Sequence, residues 1–287
     1  TRPEYFGHVA ISSPSRSGTT QLTVETILQG EGWDKGWAQL LAMMGNAAAV
    51  TDRSFAVPDG VNNGQYGIGI VIDFFGLAGK YSGFPVDFAY PSMTAVVPAN
   101  IALIAGGKNP DEAKKFMAFS MSTEGQQLLF DPKISRLPIR PYSQLKAPAG
   151  YPDPQEVAKR AKVQFDADLS EARYQVVTSL FDQMVTFRLK ELQGATKAIQ
   201  DAEKALKAKP NARGSDLVKQ ARALAYTPLV GAENVKNEQF LELFRKSRRD
   251  VEVSKQLSGQ EQLWANKARE NYARAQQLAT EARGLAK

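Results

Sequence analysis

In the first 150 residues the apolar positions form short runs divided by turn residues. HVAI at 8–11, AAAV at 47–50, YGIGIVI at 66–72 and VDFAY at 86–90 have the length of strands. The near-continuous run at 66–72 is the pattern of a strand covered on both faces. Between the strands, residues 21–29 and 33–44 have helical spacing, and 58–63 is a short helix with Pro58 near its start, where a missing N–H costs nothing. Strands alternating with helices predict an α/β layer with a mostly parallel sheet. After residue 150 the pattern changes. Residues 170–209 hold no proline and one glycine, and their apolar stripe (Phe181, Val185, Leu192, Ala195, Ile199, Ala202, Leu206) advances in gaps of three, four or seven. As one helix they would extend about 60 Å. A break at 210–214, a shorter helix at 215–224 and two further helical stretches at 239–257 and 260–283 follow, with Ser258-Gly259 as a candidate break. Long stripes around a short helix predict an antiparallel hairpin or small bundle.

Composition sharpens this division. Residues 1–150 carry 12 Lys+Arg and 12 Asp+Glu, so the whole net charge of +6 lies in 151–287. Seventeen of the 22 glycines and 11 of the 15 prolines lie in the first 150 residues, as short elements joined by turns require. The basic cluster Arg245-Lys246-Ser247-Arg248-Arg249 reads as a solvated helix face, since Asp250 and Glu252 follow it and no aromatic residue interleaves for base stacking. Nucleic acid is therefore not an expected partner.

The chain has no cysteine, which excludes disulfides, thiol nucleophiles and cysteine metal sites. Its one histidine, His8, excludes any site needing two imidazoles and reads as a strand-start residue. A Ser–His–Asp site would have to use His8, beside which no orienting acid is evident. No catalytic residue, metal ligand or cofactor is expected, and the chain is read as a binding protein rather than an enzyme. No run reaches the roughly 18 apolar residues of a membrane span. Residue 1 is Thr rather than Met, as expected of a processed chain or a fragment.

In an α/β layer the chemistry sits at the carboxyl ends of the strands. Three segments fall there: 12–20, 51–54 and 73–75. The first offers hydroxyls at Ser12, Ser13, Ser15, Ser17 and Thr19, then Gly18 and Thr20 at a helix start. Glycine admits a ligand close to the backbone, and a helix N-terminus supplies open N–H groups and the positive end of the dipole. Arg16 or Arg53 could add charge. The alternative is an ordinary N-cap at Ser17 or Thr19. The loop is not a phosphate-binding loop of the nucleotide-hydrolase type, because no Lys follows Gly18.

The ordered series HVAISSPSRSGTT, GWDKGWAQLLAMMGN, GQYGIGIVID and GGKNPDEAKKFMAFSMSTEGQQLL resembles type II periplasmic solute-binding proteins of ABC transporters, nearest the branch of ferric-iron, sugar-phosphate and phosphoglycerate binders. The resemblance covers roughly 1–142. It implies a two-lobed clamshell in the periplasm that presents a solute to a membrane permease. It makes Ser17, Gly18, Thr19 and Thr20 expected ligand contacts, with Ser15, Arg16, Arg53 and Ser54 beside them. Ferric relatives carry an adjacent tyrosine pair where this chain reads Asp73-Phe74-Phe75. Phenylalanine offers no oxygen to a hard cation, so iron is not expected, and Asp73 becomes either an acceptor for a ligand hydroxyl or a plain cap of the next turn.

In such proteins the S-G-T-T helix start opens the second lobe, and about one hundred residues of a first lobe precede it. The resemblance thus divides the chain into a second ligand-binding lobe at 1–92, a crossover and first-lobe remnant at 93–150, and a helical extension at 151–287. The expected fold is an α/β periplasmic-binding-protein-like lobe plus an all-α extension of long antiparallel helices. A separate or missing N-terminal lobe would complete it, and an exposed apolar remnant would favour self-association. FDQMVTFRLKELQGATKAIQDAEKAL is similar to the tail of members that regulate phosphoglycerate uptake. Two functions follow as expectations. One is capture of a small anionic solute, phosphorylated or carboxylated, for an ABC permease or membrane sensor. The other is a signalling protein whose helical arm docks on that sensor.

Overall fold

Strand β1 (Val9–Ser12) lies between β2 (Ala47–Thr51) and β3 (Ile68–Gly69), both parallel to it. Parallel neighbours need crossovers. Helices α1 (Gly18–Glu31) and α2 (Trp33–Met44) provide the first and α3 (Ala56–Asn62) the second. Gly32 separates α1 from α2 at φ 82, a left-handed conformation that a side chain would strain. The computed structural model describes residues 1–247 and 249–286. Their contacts group into two units, Thr1–Val71 with Asp166–Lys287, and Ile72–Phe165. These groupings by contact do not map one to one onto the 1–92, 93–150 and 151–287 divisions of the sequence.

The Ile72–Phe165 unit holds α4 (Asp73–Tyr81), α5 (Pro110–Ser120), α6 (Thr123–Gln127) and α7 (Pro154–Arg160), and a small core of Leu77, Phe130 and Tyr151 with Tyr81, Phe88 and Tyr142 packed against it. The strand expected at 86–90 does not form. Proline stands at 85 and 91, Asp87 turns its carboxylate to the N–H of Phe88 and to Lys80, and the Phe88 ring packs where a Cβ on Gly76 would be. The strand expected at 66–72 shortens to Ile68–Gly69, and α4 follows where a loop was expected at 73–75. Residues 95–104 are in no helix or strand, and α5 buries none of its residues, leaving Phe116 at 62% exposure.

The extension comprises α8 (Ala167–Met184), α9 (Leu189–Ala208), α10 (Ala212–Tyr226), α11 (Glu238–Lys246) and α12 (Val251–Gly284). The helix expected over 170–209 is interrupted: Val185 leaves helical geometry (φ −119, ψ −65) and Thr186–Arg188 makes a 3-10 turn. β-Branched Val185 and Thr186 disfavour the helix here, and the Met184 carbonyl accepts instead from the buried Tyr272 hydroxyl of α12 at 2.8 Å. At Ser258-Gly259 the opposite holds, since α12 runs through both residues unbroken.

The extension does not stand apart from the lobe. Ile11 of β1, Leu28 of α1 and Trp37 of α2 share one buried core with Phe181 of α8, Ile199 of α9, Ala221 of α10 and Leu278 of α12. A Cβ on Gly45, just after α2, would fall 1.9 Å from Thr196 Oγ1 of α9, so the absence of a side chain there permits the close approach.

Polar ties fix the register of α1 against α8. Gln29 exchanges two hydrogen bonds with the backbone of Asp166, Glu25 takes a bidentate contact from Arg173 (2.7–3.0 Å), and Gln21 donates to Ser170 at 3.2 Å. The three α1 residues stand four apart, on one helical face. The Glu25 side chain is fully buried and that of Arg173 is 7% exposed, with the guanidinium 5.3 Å from the Trp33 ring centre. Burial pushes the Glu25 carboxyl above its ordinary range, and the Arg173 hydrogen bonds and charge pull against that shift.

Arg173→Ala would leave a buried carboxylate without its cation, and should destabilise the protein by about 3–5 kcal/mol at neutral pH. A carboxyl with a raised folded-state value favours the fold as pH falls through that value, because the folded chain then binds the extra proton. Urea unfolding should therefore show a smaller loss for the variant near about pH 5 than at neutral pH.

Candidate functional site

β1 and β2 end side by side at Ser12 and Thr51, so the loops that follow them emerge at one edge of the sheet. The Ser13 N–H donates to the Thr51 carbonyl at 2.9 Å, and Arg16 forms an exposed ion pair with Asp52 at 3.7 Å. The structure thus brings Ser15, Arg16, Ser17, Gly18, Thr19 and Thr20 of the first loop and helix start to the same edge as Arg53 and Ser54 of the second. Asp73 belongs to the other unit.

Within the first loop the hydroxyls form a web. Ser17 caps α1 by accepting from the Thr20 N–H at 3.3 Å, while the Thr20 hydroxyl donates to Ser17 Oγ at 3.1 Å. Ser17 Oγ also meets Thr19 Oγ1 at 3.0 Å, and Ser12 Oγ pairs closely with Thr20 Oγ1. Ser12, Ser13, Ser17 and Thr20 are buried, whereas Ser15, Arg16 and Gly18 are exposed. Both readings of Ser17 therefore meet in one residue: it is an N-cap, and it lies among the expected contacts. The N–H groups of Gly18 and Thr19, in the first turn of α1, have no acceptor among the described residues. A Cβ at Gly18 would meet nothing within 4 Å, so space lies open above the helix start.

A second group of loop bonds reaches across the chain. Ser13 Oγ lies 2.8 Å from Ser15 Oγ and donates to Asp182 Oδ1 of α8 at 3.1 Å. Sequence reasoning missed Asp182. It lies 169 residues from Ser13, and as one acid on a charged helix nothing in the pattern singles it out.

Asp73 begins α4, where its Oδ1 accepts from the Phe74 N–H at 2.8 Å and its Oδ2 from the Tyr90 hydroxyl at 2.9 Å. Both carboxylate oxygens are engaged, as in the turn-capping alternative. Burial, reinforced by the Asp73 charge, pushes the Tyr90 phenol up, so it stays a donor. The Arg136 guanidinium stands over the Phe74 ring, 3.2 Å from its centre.

The side chain of His8 has no hydrogen bond or ion pair among the described residues. Among those residues no cluster of three or more His, Asp or Glu is arranged to hold a metal ion. Arg245 pairs with Glu238 and Glu242, and Lys246 with Glu242, so these two cations of the basic cluster are offset by their own helix; Arg248 lies outside the described residues. Among the described residues no helix is long and apolar enough to cross a membrane.

Removing the cap tests the local geometry. Ser17→Ala should cost about 0.5–2 kcal/mol in chemical unfolding, and Ser17→Asn, which also accepts from a first-turn N–H, should recover most of it.

A family model described as bacterial extracellular solute-binding protein matches residues 1–157. The chain is 36% identical over 206 residues to the phosphoglycerate transport regulatory protein PgtC of Salmonella typhimurium and to that of Salmonella typhi, covering 71% of this chain and 50% of each relative. An uncharacterized protein of Haemophilus influenzae is 26% identical over 131 residues, 45% of this chain and 37% of that protein. The chain thus spans about half the length, or less, of the curated relatives it matches. No solved structure matches it. The chain belongs to the bacterial extracellular solute-binding protein family.

Proposed function

We propose that the chain is part of a periplasmic solute-binding protein serving an ABC-type uptake or ligand-sensing system, and that it captures a small phosphorylated or carboxylated solute without breaking a bond. The observation that carries this reading is the start of α1, where the Gly18 and Thr19 N–H groups lack acceptors beneath open space. A helix N-terminus with such groups favours an anion, and the effect needs no net charge on the lobe. Ser15, Ser17, Thr19 and Thr20 supply hydroxyls that can turn toward a phosphate or carboxylate, and Arg16, Arg53 and Ser54 approach from the same sheet edge. Asp73, in the other unit, keeps its carboxylate on the Phe74 N–H and the Tyr90 hydroxyl and has no part in this reading. Phe74 and Phe75, lacking oxygen, argue against iron. The printed name of the Salmonella relatives makes phosphoglycerates the first solutes to try.

The partners in this reading are a permease or membrane sensor and a further lobe that completes the clamshell. The unburied α5 and the unpaired chain at 95–104, where Ile104 is 80% exposed, support a surface awaiting cover. A signalling role for the extension is the second reading. It is favoured by the shared core, which leaves the extension no independence from the lobe.

Titration calorimetry with 3-phosphoglycerate, glycerol 3-phosphate, inorganic phosphate and ferric citrate tests the first reading. Organic phosphates should bind, and Arg16→Ala should weaken them about tenfold, as loss of a charge-assisted contact does. Binding of ferric citrate with none of the phosphates would contradict it.

A further inference from the structure

Asp182 of α8 accepts a hydrogen bond from Ser13 of the 12–20 loop. Its position follows from the register of α8. Contacts pair Gln29 with Asp166, Glu25 with Arg173 and Ser13 with Asp182, so α8 runs antiparallel to α1 and carries its last turn past the loop. The first two turns of α8 are held to α1 by the buried ion pair and its neighbours; the last turn sets Phe181 and Met184 in the core and turns the Asp182 carboxylate to Ser13. One turn beyond, the helix ends at Val185.

The chemistry of this contact opposes that of the helix start. Ser13, 1% exposed, gives its proton to Asp182 and shares Ser15 Oγ at 2.8 Å. Ser15 is exposed at the loop mouth. An anion that draws the Ser15 proton off Ser13 Oγ, and the Ser13 proton after it, competes with Asp182 for the Ser13 proton, and its charge repels the carboxylate.

We propose that Asp182 is a ligand-displaced latch: it closes the hydroxyl loop while no anion is bound, and capture of an anion releases it and loosens the end of α8. This rests on the anion-binding reading above and adds how the extension senses that event. Coupling of this kind is reciprocal, so weakening the latch must tighten ligand binding.

Hydrogen exchange over 178–188, with titration calorimetry, tests it in the full chain and in Asp182→Asn and Ser13→Ala, using 3-phosphoglycerate and inorganic phosphate as separate probes. In the parent chain, saturation with the probe that binds should raise exchange in this segment several-fold. Asp182→Asn should bind that probe about tenfold more tightly, with no further change in exchange. Ser13→Ala, which keeps the carboxylate but removes the donor, should also lose the response, and it serves where Asp182→Asn fails to fold. Equal affinity and an equal exchange response in parent and variants would overturn the latch while leaving anion binding intact. So would unchanged or lowered exchange at 178–188 in a parent chain that binds. If neither probe binds the parent chain or any variant, both the latch and the anion-binding reading are overturned.

Discussion

The ion pair of Glu25 with Arg173 is the contact on which the arrangement of the Thr1–Val71 and Asp166–Lys287 unit turns. Taking both charges out of water is costly, and only good geometry with further hydrogen bonds offsets the cost. Arg173 meets both carboxylate oxygens, Gln29 adds a further bond to the same carboxylate, and the Trp33 face lies alongside. Such a pair tolerates little slippage. It sets α8 antiparallel to α1 in one register, and that register delivers Phe181 to the common core and Asp182 to the loop.

The same constraint changes how the extension is understood. A helical tail of this length suggests a lever that acts at a distance from the lobe. Here α8, α9, α10 and α12 share a core with β1, α1 and α2, so the helices pack on the lobe rather than project from it. In the proposed reading, binding by helix N–H groups and hydroxyls needs no net charge on the lobe. The +6 lies on residues 151–287, while the proposed site draws on a lobe with balanced charge.

Elements closed by local signals were legible in the sequence. The helical spacing at 21–29 lies inside α1, that at 33–44 matches α2, and the apolar run at 8–11 gives β1 almost to the residue. What was not legible depended on distant partners. The break after Met184 needs the Tyr272 hydroxyl, 88 residues on, to take the freed carbonyl. The run at 86–90 alternates like a strand, yet its carboxylate and ring find partners at Lys80 and Gly76. An apolar stripe on α9 reads alike whether it faces another helix or the lobe, so its packing against both could not be foreseen. The loop hydroxyls were visible as candidates; the carboxylate that engages them was not, because a lone acid on a charged helix carries no signature.

Membership of the solute-binding family and the open start of α1 lead to one central claim: an anion sits on the first-turn N–H groups of α1. Amide chemical shifts read those groups directly. Titration of the labelled chain with 3-phosphoglycerate should move the Gly18 and Thr19 amide protons downfield in a saturable way, further than other amides of the lobe. Saturable binding that leaves these two amides unmoved would contradict the account.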